Sequence, residues 1–318
     1  MLDVSVVVPF YNRSFFLERL LDSVLNQTRK PKKIYLVDNG SFDDEISKLS
    51  LIMNKEKFRS IDIVFTSTVD KGNANYARNL GYILSDTQYV AFLDSDDWWE
   101  PNHLKDSIEC LVRSNKSSVY SRAIIHTKDD SHVNYSVDVN NFNNPFDLLL
   151  SKAGYLATTP SFVVDKTLVN ETVLWDTKLK RHQDFDYFSS IFYKGGGWCY
   201  CDKANVNVDW DDGGADKSNI DLNSLVVFYE KWEPLIPSSI KKYYLKNVYM
   251  STYRWKSDDK YKKYYRDKIK ENSGFGAFRN ILYVHGYIHG YMSLVNLVDY
   301  LKLRVFIRKI LKKLTHFF

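Results

Sequence analysis

The sequence has few cysteines and no long apolar run. Its three cysteines are too few for a disulfide scaffold and favour a reducing compartment such as the cytoplasm. No uncharged apolar stretch reaches the roughly 18 residues that a membrane-spanning helix needs, so none is expected. The N-terminal MLDVSVVVPF has no basic region followed by a long apolar core, so no signal peptide is expected. With 44% hydrophobic residues among 318, the chain can bury a core of ordinary size.

The net charge of +5 is unevenly distributed along the chain. Residues 219–318 carry 19 Lys and Arg against 8 Asp and Glu, whereas residues 1–218 carry 25 against 31. This split predicts two parts with different partners: a first domain over 1–218 and a basic, Tyr-rich, mainly helical region over 219–318. Basic and aromatic composition suits either nucleic acid or an anionic membrane surface.

Apolar strand-like runs alternate with amphipathic helices along the first hundred residues. VSVVV, KIYLVD, IDIVF and YVAFLD are predicted to be strands, with a helix expected over 73–84 and a long polar loop over 126–146. Such alternation predicts an α/β fold with a mostly parallel, doubly wound sheet. Ligands bind at the carboxyl ends of strands in such sheets, and Asp38 and Asp94 lie at these ends.

The stretch FLDSDDWWEP places three carboxylates, Asp94, Asp96 and Asp97, on one corner of the chain. Like charges this close repel each other, so the corner is either fully solvated or binds a cation. Oxygen ligands favour Mg²⁺ or Mn²⁺ over softer metals. The structural alternative is an exposed acidic turn in which Asp97 caps the following helix.

Six motifs in order carry a family resemblance. They are VVVPFYNR, QT after the first helix, VDNGSFD, DKGNANYARNLG, FLDSDDWWEP and RHQDFDYF. Over about residues 3–215 the chain therefore resembles family 2 glycosyltransferases, which are inverting enzymes of the GT-A fold. The resemblance implies transfer of a sugar from a nucleotide-diphosphate sugar, with UDP expected first, to a saccharide acceptor. It also implies a bound Mn²⁺ or Mg²⁺ that stabilises the diphosphate leaving group.

The resemblance implies a nucleoside pocket on the loops after the first two strands. Pro9 and Tyr11 are expected to shape it, with Tyr11 stacking on the base, and Asp38 and Asn39 are expected to recognise the nucleoside. The family commonly has two acidic residues at the latter positions. Asn39 can still accept from the uracil imide, without charge assistance, so thymidine and guanosine donors stay open beside uridine.

The diphosphate and ribose contacts follow from the next two motifs. Gly72 permits a tight turn before a helix whose N-terminus favours phosphate. By resemblance Arg78 reaches the diphosphate, for which its planar fork is suited, and a surface ion pair is the alternative. Asp94 is expected to contact the ribose, with Ser95 beside it in the nucleotide-sugar site.

Asp96 is the expected metal ligand, with Asp97 as a second or water-mediated ligand. Some members of the family complete the metal site with a histidine after the last strand of the domain. Residues 208–212 (VDWDD) contain no histidine, so one of these aspartates is the remaining candidate.

An inverting transfer needs a base for the acceptor hydroxyl. In RHQDFDYF the resemblance places this base at Asp184, with Asp186 as the competitor and possible acceptor contact; a charged helix start is the structural alternative. The two lie about 200° apart around a helix, so both cannot face one acceptor. Trp98 and Trp99 are candidate sugar platforms, with core packing of one of them as the alternative.

Residues 300–318, LKLRVFIRKILKKLTHFF within that range, predict an amphipathic helix with one apolar and one basic face. Such a helix lies in an anionic membrane surface, and docking on protein is the alternative; nucleic acid is not expected. Together with the resemblance it predicts a bacterial enzyme on the inner, cytoplasmic face of the cell membrane, extending a polyprenyl-diphosphate-linked saccharide in O-antigen or capsule synthesis. The oligomeric state is left open.

Two other classes of protein are compatible with parts of this pattern. One is a non-catalytic carbohydrate-binding or scaffold protein with a degenerate transferase fold, which the retention of Arg78, Asp94, Asp96 and Asp184 disfavours. The other is a nucleotidyltransferase, which usually needs a glycine-rich phosphate loop near the first strand. VVVPFYNRS contains no glycine.

Overall fold

The computed structural model describes residues 3–69, 72–151, 155, 157–210, 221–254 and 257–273. The chain divides into two compact units, residues 1–236 and 237–318. The predicted tail helix over 300–318 lies outside the described residues, as do Asp211 and Asp212.

The described part of the first unit contains one nine-stranded sheet. Its strands are β1 (Val4–Phe10), β2 (Lys33–Asp38), β3 (Ile63–Ser67), β4 (Tyr89–Phe92), β5 (Trp98–Trp99), β6 (Ser118–Thr127), β7 (Asp130–Asn134), β8 (Val163–Asp165) and β9 (Trp198–Asp209). The order is β3-β2-β1-β4-β8-β6-β9-β5, with β7 beside β6. Pairing is parallel from β3 to β4 and between β6 and β9, whereas β5, β7 and β8 pair antiparallel. The predicted α/β class with a mostly parallel sheet is confirmed.

Seven helices of the described residues belong to this unit. They are α1 (Ser14–Leu25), α2 (Asp43–Met53), α3 (Ala74–Leu84), α4 (His103–Ser114), α5 (Phe146–Leu149), α6 (Gln183–Lys194) and α7 (Leu222–Trp232). Every residue of β1 is buried, as expected for a central strand covered on both faces. Helix α3 approaches β1 so closely that a Cβ at Gly81 would lie 2.5 Å from Cγ1 of Val7. Glycine therefore sets the packing distance between this helix and the sheet.

The polar segment over 126–146, predicted to be a loop, instead contains a strand. Residues 123–127 of β6 pair with 134–130 of β7 in an antiparallel hairpin. Strand β7 is almost wholly exposed, so its sequence carries no alternation of apolar and polar residues. Pairing with its neighbour, rather than burial, makes this segment a strand.

Helix α7 belongs to the first unit, which extends to Ile236, whereas the charge distribution suggested an end near residue 218. The backbone N–H of Lys180 donates to Oγ of Ser224 at 2.8 Å. Further along α7, Lys231 and Trp232 bind Asp186 of α6. These contacts tie the helix to the segment around α6 through individual side chains, which charge counts do not reveal.

The second unit contains two described helices, α8 (Ser238–Arg254) and α9 (Asp259–Ser273). Their buried side chains are mostly tyrosines and aliphatic residues: Tyr244, Leu245, Val248, Tyr249, Tyr265 and Ile269. Among the described residues no helix is both long enough and apolar enough to cross a membrane.

Candidate active site

Three loops meet at the carboxyl edge of the parallel strands. The backbone N–H of Asn12 donates to Oγ of Ser41 at 2.9 Å, and Oδ1 of Asn12 accepts from the N–H of Phe42 at 2.9 Å. The N–H of Gly72 donates to the carbonyl of Asn39 at 3.1 Å. Gly72 has a φ of +78°, which glycine adopts without strain. The loops after β1, β2 and β3 are thereby joined into one rim.

Asp38 and Asn39, the expected nucleoside-recognition pair, are both buried. The Asp38 carboxylate accepts from the backbone N–H groups of Gly40 and Ser41, each at 3.0 Å. Asn39 Oδ1 accepts from Oγ1 of Thr68 at 3.2 Å. Both side chains therefore shape the turn after β2, and their contact with a base stays a prediction.

Pro9 and Tyr11 differ in accessibility. Pro9 is buried in β1, where it pairs in register with Val37 of β2. Tyr11 follows the strand and is 47% exposed. Of the two, Tyr11 has the free ring surface that stacking on a base requires.

Arg78 and Asp94 form an ion pair at the end of β4. Nη2 of Arg78 donates to Oδ1 of Asp94 at 2.6 Å, and Nη1 donates to Oδ1 of Asn75 at 2.9 Å. The guanidinium lies 4.7 Å from the ring centroid of Trp175. Arg78 is enclosed, whereas the Asp94 side chain is 27% exposed. The structure therefore shows Arg78 holding Asp94, and the expected diphosphate contact of Arg78 stays a prediction.

The segment facing α3 is attached through asparagine amides. Nδ2 of Asn75 donates to the carbonyls of Asp176 and Leu179, at 2.8 and 3.0 Å. Asn73 and Asn79 donate in the same way to the carbonyls of Thr177 and Trp175. These bonds position the Trp175 ring beside Arg78 and fix the chain that leads into α6.

Two arginines of the α1 region contact the acidic corner. Nη1 of Arg13 binds Oδ2 of Asp96. Nη2 of Arg19 donates to the carbonyl of Asp96 at 2.6 Å and to Oδ2 of Asp209 at 3.1 Å. Burial raises the pKa of Asp96, and the charge of Arg13 opposes this shift. Guanidinium groups thus offset part of the repulsion between the carboxylates.

The role of second or water-mediated metal ligand expected of Asp97 stays a prediction, and the structure shows a buried side chain. It is 4% exposed, and its Oδ1 accepts from the backbone N–H of Asp209 at 2.9 Å. Burial, with the charges of Asp96 and Asp94 nearby, raises its pKa well above the usual range. The N-cap of α4 is Asn102, so Asp97 does not cap that helix either. Its buried carboxyl instead joins the acidic corner to the end of β9.

The remaining carboxylates fit a cation only if other ligands join them. Within the described residues, no group of three or more His, Cys, Asp or Glu side chains is placed to hold a metal ion. Asp94 and Asp96 are 27% and 15% exposed. Two accessible carboxylates suit a hard cation that takes its other ligands from substrate phosphates and water. Ser95 between them is buried.

The two tryptophans are not equivalent. Trp99 is 3% exposed, and its Nε1 donates to the carbonyl of Pro160 at 2.7 Å, so it is a core residue and not an acceptor platform. Trp98 is partly exposed. The centroid of its ring lies 3.9 Å from Cζ of Arg19 and 4.7 Å from the centroid of the His126 ring. These contacts cover part of the ring surface that a sugar would need.

Asp184 and Asp186, in the first turn of α6, face different surroundings. Asp186 is fully buried; its Oδ1 lies 2.8 Å from Nζ of Lys231 and accepts from Nε1 of Trp232 at 2.7 Å. These partners lie inside the protein, and the acceptor contact expected of Asp186 stays a prediction. Asp184 is partly exposed, and burial raises its pKa to about 6, with the nearby charges of Arg78 and Asp94 acting in opposite directions. Asp184 is therefore the carboxylate of this pair suited to accept a proton.

Comparison with known proteins decides the family. The model of glycosyl transferase family 2 matches residues 5–164. The chain belongs to this family. The match includes Arg78 and the acidic corner but ends before Asp184, so it does not test the expected role of Asp184 as the base.

Individual relatives cover part of the chain. The amylovoran biosynthesis glycosyltransferase AmsB of Erwinia amylovora is 29% identical over 188 residues, which are 57% of this chain and 61% of AmsB. The Escherichia coli enzyme WfgD, a UDP-Glc:α-D-GlcNAc-diphosphoundecaprenol β-1,3-glucosyltransferase, is 29% identical over 171 residues, 52% of this chain and 62% of WfgD. The matches thus span about three fifths of the length of these two relatives.

One solved structure has a similar fold. S. aureus TarS 1–349 in complex with UDP-GlcNAc superposes with a TM-score of 0.62 at 16% identity, covering 86% of this chain and 81% of that chain. The likeness confirms the expected GT-A fold of this family 2 glycosyltransferase.

The two arginines that bind the acidic corner, Arg13 and Arg19, were not predicted from the sequence. Arg13 lies within the motif VVVPFYNR and Arg19 lies in the second turn of α1, but neither position indicates which carboxylate it binds. Asp209, one of the aspartates considered for the metal, binds Arg19 instead. One signal in the sequence points to the Arg13–Asp96 pair: the motif VVVPFYNR is predicted to end at the same sheet edge as FLDSDDWWEP.

Proposed function

We propose that the chain is a metal-dependent, inverting glycosyltransferase that moves a sugar from a UDP-sugar to a saccharide acceptor. One juxtaposition carries the proposal: an accessible Asp94 held by an enclosed Arg78, with Asp184 close enough for both charges to act on its pKa. The donor named for WfgD and the UDP-GlcNAc bound to TarS support the choice of UDP.

Asp184 acts as the general base in this proposal. It accepts the proton of the acceptor hydroxyl while that oxygen attacks the anomeric carbon from the face opposite the diphosphate. With a pKa of about 6, it is ionised at neutral pH yet more basic than an ordinary aspartate. The direct displacement inverts the anomeric configuration.

Asp94 and Asp96 bind the donor side of the reaction. Arg78 holds the Asp94 carboxylate at the edge of the sheet, where it is proposed to contact the ribose. Asp96, with Asp94 beside it, would hold Mn²⁺ or Mg²⁺. A bound cation would supply Lewis-acid stabilisation of the leaving diphosphate. Tyr11 stacks on the base at the rim of the site.

A screen of nucleotide sugars tests this proposal. Full-length protein is incubated with UDP-, dTDP- and GDP-sugars in Mn²⁺, Mg²⁺ or EDTA, and release of nucleoside diphosphate is measured. Hydrolysis or transfer is expected with a UDP-sugar, only with a divalent cation, and lost in Asp184→Asn and Asp96→Asn but not in the surface control Asp86→Asn. NMR of the product must show an inverted anomer. Donor binding without any turnover would favour the non-catalytic carbohydrate-binding alternative.

The acceptor is proposed to be a saccharide on polyprenyl diphosphate, in the synthesis of a surface polysaccharide of the O-antigen or capsule type. The acceptor named for WfgD and the polysaccharide named for AmsB support this choice. The predicted basic amphipathic helix over 300–318 would hold the enzyme on the cytoplasmic membrane face. Deletion of 300–318 is expected to move the protein from the membrane fraction to the supernatant. Unchanged membrane recovery would refute this attachment.

A further inference from the structure

Arg13 and Arg19 bind different atoms of Asp96. Arg13 pairs with the carboxylate oxygen Oδ2, whereas Arg19 donates to the backbone carbonyl at 2.6 Å. Arg19 is also held by Asp209 and by the ring of Trp98. The Arg19 bonds can therefore persist when the Asp96 carboxylate takes another partner, but the Arg13 pair cannot.

We propose that Arg13 is an exchangeable counter-ion for Asp96. It neutralises the carboxylate before the donor binds, and it releases the carboxylate when the cation arrives with the donor diphosphate. The inference rests on the proposed function, because it takes Asp96 to be the cation ligand. Arg13 is 34% exposed at the start of α1, so loss of its contact with Asp96 does not require repacking of the buried core.

The surroundings of Asp96 explain why such a counter-ion is needed. The Asp96 side chain is only 15% exposed, and Asp94, a second partly buried carboxylate, lies two residues before it. An unpaired carboxylate at this half-buried position would destabilise the corner whenever the cation is absent. The Arg13 pair removes that penalty, but the cation must then compete with it. The expected consequence is weak binding of the cation alone and firmer binding with the donor.

Titration of Mn²⁺ followed by electron paramagnetic resonance of the free ion tests this competition without any turnover. In the absence of nucleotide, Arg13→Ala of the chain is expected to bind Mn²⁺ about two- to fivefold more tightly than the unmodified protein, the range expected for loss of a partly exposed ion pair. Arg13→Lys, which keeps the charge, should fall between them. Arg19→Ala is the matched control, since it removes one positive charge from the same corner without freeing the carboxylate. Thermal unfolding confirms that each variant is folded.

The outcomes separate this inference from the proposed function. If Asp96→Asn abolishes Mn²⁺ binding but Arg13→Ala binds no more tightly than the unmodified protein, the counter-ion role is wrong and the metal assignment stands. If Arg13→Ala and Arg19→Ala bind Mn²⁺ equally more tightly, the counter-ion role is also wrong, because loss of any positive charge near the corner then has the same effect. If Asp96→Asn binds Mn²⁺ as well as the unmodified protein, the metal assignment itself fails, and the inference with it.

A separate observation concerns the thiols. Sγ of Cys110 on α4 lies 3.2 Å from Sγ of Cys199 on β9, and both are free thiols. Cys110 is partly exposed, whereas Cys199 and Cys201 are buried. The contact with Cys199 lowers the pKa of Cys110, which favours its thiolate as the first nucleophile.

We infer that Cys110 and Cys199 form an intramolecular disulfide on exposure to a low-molecular-weight disulfide such as oxidised glutathione. The Cys110 thiolate attacks one glutathione sulfur and expels glutathione thiolate. The Cys199 sulfur, losing its proton to solvent, then attacks the Cys110 sulfur of the mixed disulfide and expels the second glutathione. Two protein thiols are oxidised by two electrons, and one glutathione disulfide is reduced. The product would link α4, which follows the acidic corner, to β9.

Peptide mapping without reduction tests the link. After treatment of the full chain with oxidised glutathione, free thiols are expected to fall from three to one, with one peptide pair joined through Cys110 and Cys199. Cys201→Ser should form the same link, with its free thiols falling from two to none, and Cys110→Ser should yield no internal link. Three remaining free thiols, a stable glutathione adduct on Cys110, or a link through Cys201 would each refute the assignment.

Discussion

Nη2 of Arg78 lies 2.6 Å from Oδ1 of Asp94, and the two side chains differ sharply in exposure, at 3% and 27%. An enclosed cation thus presents a partly accessible carboxylate at the edge of the sheet. The second bond of Arg78 goes to Asn75, whose amide also holds the segment leading into α6. This arrangement connects the corner after β4 to the helix that carries Asp184.

Substitution of Arg78 should damage both stability and activity. Arg78→Ala leaves Asp94 without its partner and opens space beside Trp175, so we expect a loss of about 3 kcal/mol in the free energy of unfolding. Activity should fall at least about 100-fold because the Asp94 carboxylate is no longer oriented. Urea unfolding and donor kinetics measure the two effects. The exposed Arg113→Ala should change stability by less than about 0.5 kcal/mol. A fully stable, active Arg78→Ala would contradict the role given to this pair.

Asp184 should control the pH dependence of the rate. Because the base must be ionised, kcat/KM is expected to rise with pH and level off above about 6, following the raised pKa of Asp184. Asp184→Asn should reduce kcat by about 100- to 10,000-fold with donor affinity little changed. Steady-state kinetics from pH 5 to 8, with donor affinity from calorimetry, measure both. Retention of the pH profile at a residual rate in Asp184→Asn would assign the base elsewhere.

The raised pKa of Asp184 also makes the free energy of unfolding depend on pH. The folded pKa of Asp184, about 6, lies above its usual 3.8, so the folded state favours the protonated carboxyl. Its stabilising contribution is complete below about pH 4 and is lost as the pH rises through about 6. Neutral Asp184→Asn should therefore be more stable than the unmodified protein at pH 8, with a smaller advantage at pH 4. Urea unfolding at the two pH values measures the difference, and an advantage that grows toward acid would contradict the shift.

The Lys231–Asp186 pair should behave as a unit. Asp186 is fully buried and depends on Nζ of Lys231 at 2.8 Å, so Lys231→Met should cost about 3 kcal/mol at pH 8. Adding Asp186→Asn removes the stranded charge and should restore most of that loss. A double-mutant cycle by urea unfolding measures the coupling. Lys48→Met, which removes the ion pairs of an exposed lysine with Asp44 and Glu45, is the control and should cost less than about 1 kcal/mol. Additive effects of the two changes would show that the pair is not coupled.

The sequence by itself determined the order of β1 to β4, the helices between them and the position of FLDSDDWWEP at the carboxyl edge of the sheet. Apolar periodicity and turn residues encode these features locally. It also separated Asp184 from Asp186, because 3.6 residues per turn set them on different faces. Strand β7 and the attachment of α7 to the first unit were not predicted, since neither depends on a local apolar pattern.

Only the tertiary structure determined the partners and the burial of each carboxylate. Asp96 meets Arg13 from 83 residues away, Asp97 accepts from Asp209 112 residues away, and Arg19 reaches Asp209 across 190 residues. The three aspartates of the corner look alike in the sequence. Their burial and partners differ because the ends of α1, β4 and β9 meet at one place, and packing over such separations determines which oxygen is enclosed and which stays accessible to a donor.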